Sequence, residues 1–149
     1  MAMIGGAIGL IVKLSAFQDW YLHLNKPWFG PSDNLLSVVW VFIHVLLGIT
    51  GYLLWHNTYH EGEEKTNTDG IFILLYLQLV LTFGWMWIFF GLQLPLVAFF
   101  EKVISLVVLI LMVKQSFKIS KFVSSFYAVY TLWTLYLLAF NLSIIQLNR

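Results

Sequence analysis

A chain of 149 residues with 60% hydrophobic and only 10% charged side chains carries more apolar surface than a core of that size can hide, since soluble domains hold about 25% charged residues. A net charge of +1 sets up no field that would draw nucleic acid or an acidic substrate. The lack of cysteine excludes disulfides, thiolate catalysis and Cys-based metal sites.

The composition therefore points to lipid as the solvent and to an all-α integral membrane bundle. A spanning helix needs roughly 20 apolar residues, and five stretches meet or approach that length. The first, Ala2–Phe17, is short, holds Lys13 and lacks a basic leading region, so it is read as a retained span and not a signal peptide. Its Gly5 and Gly9 form a small-xxx-small pattern suited to close helix approach. The second is Leu35–Trp55, with His44 inside it, and the third is Ile71–Gly91, without a charge. The fourth, Pro95–Val113, carries the adjacent Glu101 and Lys102, and the fifth, Phe122–Leu147, is uncharged and aromatic. Long unbroken runs fit helices, whereas a membrane barrel shows alternating segments of about ten residues.

The connections are polar. Residues 18–34 contain Pro27, Gly30 and Pro31; residues 56–70 contain Glu61, Glu63, Glu64 and Lys65; 91–95 is a tight turn; 114–121 carries three lysines. With no internal repeat, one domain over residues 1–149 is expected, as a multi-pass membrane protein. Lysine counts in the loops place the 56–70 and 114–121 connections on the cytoplasmic side.

The chemistry-bearing pattern is aromatic. Trp40, His44, Trp85, Phe89, Trp133 and Phe140 fall inside the spans and not at their ends. Trp85 and Phe89 are four apart, as are Trp40 and His44, so each pair shares a helix face. Trp133, Leu137, Phe140 and Asn141 form a third stripe. Such rings either pack helix on helix or wall a cavity for a large, flat, apolar ligand. His44 reads as a hydrogen-bonded histidine of the bundle or as a haem ligand. Glu101 and Lys13 fall at similar depth, so they either pair or leave the lysines to snorkel. His56 and His60 beside the acidic run read as a solvated loop, and no metal site is expected.

Four segments resemble the translocator protein family, also called tryptophan-rich sensory proteins or peripheral benzodiazepine receptors. Trp20-Tyr21-Leu22-His23-Leu24-Asn25-Lys26-Pro27-Trp28-Phe29-Gly30-Pro31 is similar to its W-Y-x-x-L-x-K-P-x-W-x-P-P loop. Trp40, Gly48, Tyr52 and Trp55 follow its second helix. Gln78-Leu79-Val80-Leu81-Thr82-Phe83-Gly84-Trp85, then Ile88-Phe89-Phe90-Gly91, resembles its Q-L-x-x-N-x-x-W segment ending in F-F-G. Tyr130, Trp133 and Asn141 keep the spacing of its last helix. Departures include Ser32 at the second loop proline, Phe29 at the loop tryptophan, Thr82 at an asparagine, His44 at a tyrosine and Glu101 at an aspartate. Phe140, Leu142 and Gln146 occupy the places of the cholesterol-recognition pattern, which argues against a cholesterol role.

The resemblance implies five transmembrane helices, a homodimer formed mainly through the third, and a cavity beneath the first loop. Members bind porphyrins and haem-like tetrapyrroles, sterols in animals, and synthetic isoquinoline-type drugs. Carried over by position, Trp40, Thr82, Trp85, Trp133, Leu137 and Phe140 face that cavity, and His44, Phe89 and Asn141 join them from the aromatic reading. Trp20, Tyr21, Lys26, Pro27, Trp28, Phe29 and Pro31 form its lid. The expected function is binding of a hydrophobic ligand, foremost protoporphyrin or haem, for sensing, sequestration or transport. Some bacterial members promote light-dependent porphyrin breakdown, with two tryptophans matching Trp40 and Trp133. No required cofactor, catalytic residue or nucleic-acid partner is expected, and nothing suggests a hydrolase or a nucleotide-driven pump. The rival readings are a structural membrane protein without a ligand and a small-solute transporter. Short loops and no recognisable targeting peptide point to a bacterial membrane.

Overall fold

The computed structural model describes residues 18–59 and 69–149. Among the described residues the chain is helical, without a strand. A short α1 spans Gln18–His23, and α2 spans Asp33–Tyr59. Helix α3, Asp69–Met86, runs directly into a wide π-helical turn, Trp87–Gly91. Helix α4 covers Pro95–Phe117 and α5 covers Lys121–Leu147. Four of the five expected spans are thus among the described residues, each long and apolar enough to cross a membrane: Asn34–Thr58, Gly70–Gly91, Pro95–Phe117 and Lys121–Leu147. The stretch Ala2–Phe17, with Gly5, Gly9 and Lys13, lies outside the described residues, as does the segment from His60 through Lys65.

Backbone polar groups in hydrocarbon find no water, so each span must satisfy them internally, and helices do so. The ends are marked locally. Pro95 opens α4 at its first position, where a missing N–H is harmless. Ser120 caps α5, its hydroxyl accepting from the Val123 N–H. The turn between α3 and α4 passes through Gln93 at φ 57°, a left-handed conformation unusual for a residue with a Cβ. Within the spans, the hydroxyls of Thr50, Ser116, Thr131 and Ser143 donate to carbonyls one turn back, so these hydroxyls are satisfied within their own helices.

The packing is that of a membrane protein. Phe42, Ile73, Tyr76, Val80, Phe100, Ile104, Val129 and Leu132 are exposed, while Gln78, Thr82, Ser105, Thr134 and Asn141 are buried. Helix α4 packs against α3 and α5, and α2 lies more sparsely along α3 and α5. The interior divides into two clusters. One gathers Ile43, Leu47, Leu54, Val108, Met112, Tyr127 and their neighbours. The other joins Tyr21 of α1 to Leu36, Trp40, Trp85, Phe89, Phe90, Leu137 and Phe140. The π turn serves this second cluster, because its extra width sets the consecutive Phe89 and Phe90 both inward.

Candidate functional site

Five elements converge on the second cluster. From α3, Trp85 stacks on Phe89 with ring centroids 5.2 Å apart and planes 17° from parallel. Trp20 and Tyr21 of α1 meet Phe89 edge-on at 5.7 and 6.3 Å, and Tyr21 also meets Phe90. Phe140 of α5 closes the group 6.3 Å from Phe89. Such offset and edge contacts add about 0.5–1.5 kcal/mol per pair beyond the area they bury.

On α2, Trp40 and His44 lie 4.0 Å apart by centroid, and Phe83 of α3 contacts both. The Nδ1 of His44 lies 2.7 Å from the carbonyl of Trp40. A carbonyl only accepts, so Nδ1 carries the proton and donates. The Nε2 is then left as the free ring position, buried and without a partner among the described residues.

Between α2 and α3, Leu36, Ser37, Trp40, Trp85, Met86 and Phe90 line a cavity of about 20 Å³, enough for roughly one water. Both tryptophans of this wall are buried, and neither indole N–H has an acceptor among the described residues. Buried donors are nearly always satisfied, and each exception asks for an explanation. The amide of Asn141 is also fully buried with both polar atoms unpartnered.

Thr82 is differently engaged. Its hydroxyl donates to the Gln78 carbonyl at 2.7 Å and lies 2.7 Å from the Tyr130 hydroxyl. The Gln78 amide donates to Ser105 at 2.8 Å and to Tyr130 at 3.2 Å. Thr82 thus belongs to a polar knot between α3, α4 and α5. Trp133 is half-buried, packs against both clusters and leans on Tyr136 at 5.0 Å. Leu137 lies in the aromatic cluster.

The first loop folds over this end of the bundle. Lys26 sits 3.8 Å from the Tyr21 ring, a cation–π contact. The carbonyl of Phe29 accepts from the Tyr136 hydroxyl at 2.9 Å. A Cβ on Gly30 would come within 3.3 Å of the Phe140 ring and 3.1 Å of the Pro27 carbonyl, so only glycine fits there without displacement. Asn148 pins the loop by accepting from the Asn25 N–H and donating to its carbonyl. Pro31 is buried, whereas Trp28 is 96% exposed and touches Phe29 edge-on.

The helix patterns located most of these residues, but the contribution of Lys102 lay outside them. Its ammonium is buried, 5.1 Å from the centre of the Trp85 ring. The carboxylate of Glu101 lies 3.5 Å from that ammonium. The signal was the adjacency of two charges inside an apolar span. Phe83 and Ser105 were likewise not singled out, and Tyr130 only by the resemblance, since hydrophobic periodicity does not rank one ring or hydroxyl over another. Among the described residues no group of three His, Cys, Asp or Glu side chains is placed to hold a metal ion.

Comparison with known proteins bears on the whole chain. The Tryptophan-rich protein TspO of Archaeoglobus fulgidus is 30% identical over 143 residues, covering 96% of this chain and 89% of that protein. The Tryptophan-rich protein TspO of Chlorobaculum tepidum is 28% identical over 129 residues, covering 87% and 79% respectively. The family model described as TspO/MBR matches residues 1–147. With its apolar spans and aromatic first loop, this multi-pass integral membrane protein belongs to the TspO/MBR family.

Proposed function

We propose that the chain is a membrane receptor or translocator of a hydrophobic ligand, foremost a tetrapyrrole such as protoporphyrin or haem. The ligand would be taken between α2 and α3 under the first loop, with Ala2–Phe17 as a fifth span of the same single domain. The observation that carries this reading is the pair of buried, acceptor-less indole N–H groups, Trp40 and Trp85, on the wall of one cavity. A flat conjugated ligand supplies ring faces for the indoles and acceptor oxygens for their N–H groups.

The cavity is far smaller than the 300–1,000 Å³ or so of a drug-sized site, so entry requires the rings to part. Among the described spans α2 packs most sparsely against the others, which makes it the element to move. The Nε2 of His44 suits an iron ligand within reach of the same rings, which favours haem alongside the free porphyrin. Trp133, in contact with Tyr136, is the residue for light-driven electron donation to a bound porphyrin. A bacterial membrane and a homodimer complete the proposal.

The test is quenching of intrinsic tryptophan fluorescence by protoporphyrin, on the purified protein and on Trp40→Phe and Trp85→Phe. Saturable quenching that weakens in both variants supports the site. Linear, unsaturable quenching by the unaltered protein refutes it and favours a structural role. Illumination of the complex, with Trp133→Phe as control, separates binding from breakdown.

A further inference from the structure

A buried ion pair stands on α4, its ammonium near the Trp85 ring that lines the cavity. Glu101 and Lys102 are 8% and 2% exposed, about 10 Å along α4 from its start at Pro95 given a rise of about 1.5 Å per residue. With about 30 Å of hydrocarbon centred on this 23-residue helix, that depth falls inside it. An ionisable residue there is costly and usually functional. The pair is also poorly made. Charges on adjacent helical positions diverge around the axis, and although Nζ and Oε2 approach to 3.5 Å, neither carboxylate oxygen accepts a hydrogen bond among the described residues. A structural ion pair at this depth needs its remaining lone pairs satisfied to offset desolvation. This one does not have them.

The ammonium has a second neighbour that leads to the ligand. It lies 5.1 Å from the centre of the Trp85 ring, and the same indole lines the cavity with Trp40. Two indole donors without a partner among the described residues therefore line the cavity, and one cation stands 5.1 Å from the ring of the second of them. All three are donors, so the chemistry they suit is an anion with several acceptor oxygens.

Resting on the tetrapyrrole reading, we propose that Lys102 receives a carboxylate of the bound ligand, and that Glu101 is the counter-ion it replaces, taking up a proton as it is released. Charge balances: one carboxylate enters as an anion, one proton enters from water, and the membrane interior stays neutral. Ligand uptake is thereby coupled to protons. Among the described residues the titratable groups around the pair are His44 from α2 and Tyr130 from α5, which interact with Lys102 and Glu101 respectively through charge. Helix α3 brings the non-titrating Trp85.

The experiment titrates the full-length protein in detergent with protoporphyrin, which has two propionates, and with its dimethyl ester, which has none. Calorimetry in buffers of different ionisation enthalpy counts the protons taken up. A charge-assisted hydrogen bond contributes enough that the diacid is expected to bind about tenfold or more tighter than the diester. Lys102→Met abolishes that preference; Glu101→Gln keeps it and abolishes proton uptake. The double variant Glu101→Gln/Lys102→Met leaves no orphan charge if the single lysine variant does not fold, and it too binds both porphyrins alike. Equal binding of diacid and diester by the unaltered protein, preference surviving in the double variant, or uptake of no proton overturns the proposal while the tetrapyrrole site stands. Failure of both porphyrins to bind removes that site and the proposal with it.

Discussion

Replacing Tyr130 by phenylalanine tests whether the polar knot holds three helices together. The ring is retained, so no cavity opens and only the hydroxyl is lost. Thr82 already gives its proton to the Gln78 carbonyl, so the Tyr130 hydroxyl must donate to Thr82 at 2.7 Å and accept from Gln78 at 3.2 Å. Both bonds are lost in the variant. In bilayer proteins an interhelical hydrogen bond averages about 0.6 kcal/mol, because helices apart in the membrane find other partners. Two such bonds, one of them long, give a loss of about 1 kcal/mol. Gln78 keeps Ser105 as acceptor at 2.8 Å, so no donor is orphaned and the larger penalty of a buried unpaired group does not arise. The assay is reversible unfolding in mixed micelles by dodecyl sulfate titration, followed by circular dichroism. A cycle with Thr82→Val should return a coupling of about 0.6 kcal/mol. A loss below about 0.3 kcal/mol with no measurable coupling would mean the hydroxyls are idle, and the reasoning fails.

Gln93→Gly relieves the left-handed backbone between α3 and α4 and should raise stability by about 0.5–1 kcal/mol, read as a higher midpoint in the same titration. Gly30→Ala drives a Cβ against the Pro27 carbonyl and the Phe140 ring; a loss of about 1 kcal/mol is expected, together with weaker protoporphyrin quenching. Asn148→Ala removes both hydrogen bonds that hold Asn25. Limited proteolysis should then cut residues 24–32 faster, with the helices themselves spared.

The spans were legible because lipid imposes a length and an apolar composition that no loop shares. Leu35–Trp55 and Pro95–Val113 fall inside Asn34–Thr58 and Pro95–Phe117, the differences being polar last turns that hydropathy does not register. Shared faces were legible too: Trp85 with Phe89, and Trp40 with His44, meet as their spacing requires. What one helix's pattern lacks is its rotation against the next. Thr82 therefore read as a cavity residue, though its hydroxyl is taken up by Gln78 and Tyr130. The depth shared by Glu101 and Lys13 suggests a pair, but Lys13 lies outside the described residues, and among those described the nearest cation to Glu101 is its own neighbour Lys102. Neighbours in sequence on a helix normally face apart, and only burial of both beside Trp85 brings them together. The widened turn at Trp87–Gly91 left no trace at all, since apolar residues fit either helical form.

That widened turn gives the span Gly70–Gly91 one spare residue of slack. A related chain shorter by one position between Met86 and Leu92 would still cross the bilayer, with the slack drawn into ordinary helix. Everything downstream would then swing by about 100° around the axis, carrying one phenylalanine of the Phe89–Phe90 couple out among the acyl chains. Length variation at this point would leave topology untouched while altering how many rings face the interior, a route by which ligand preference drifts without rebuilding the membrane scaffold.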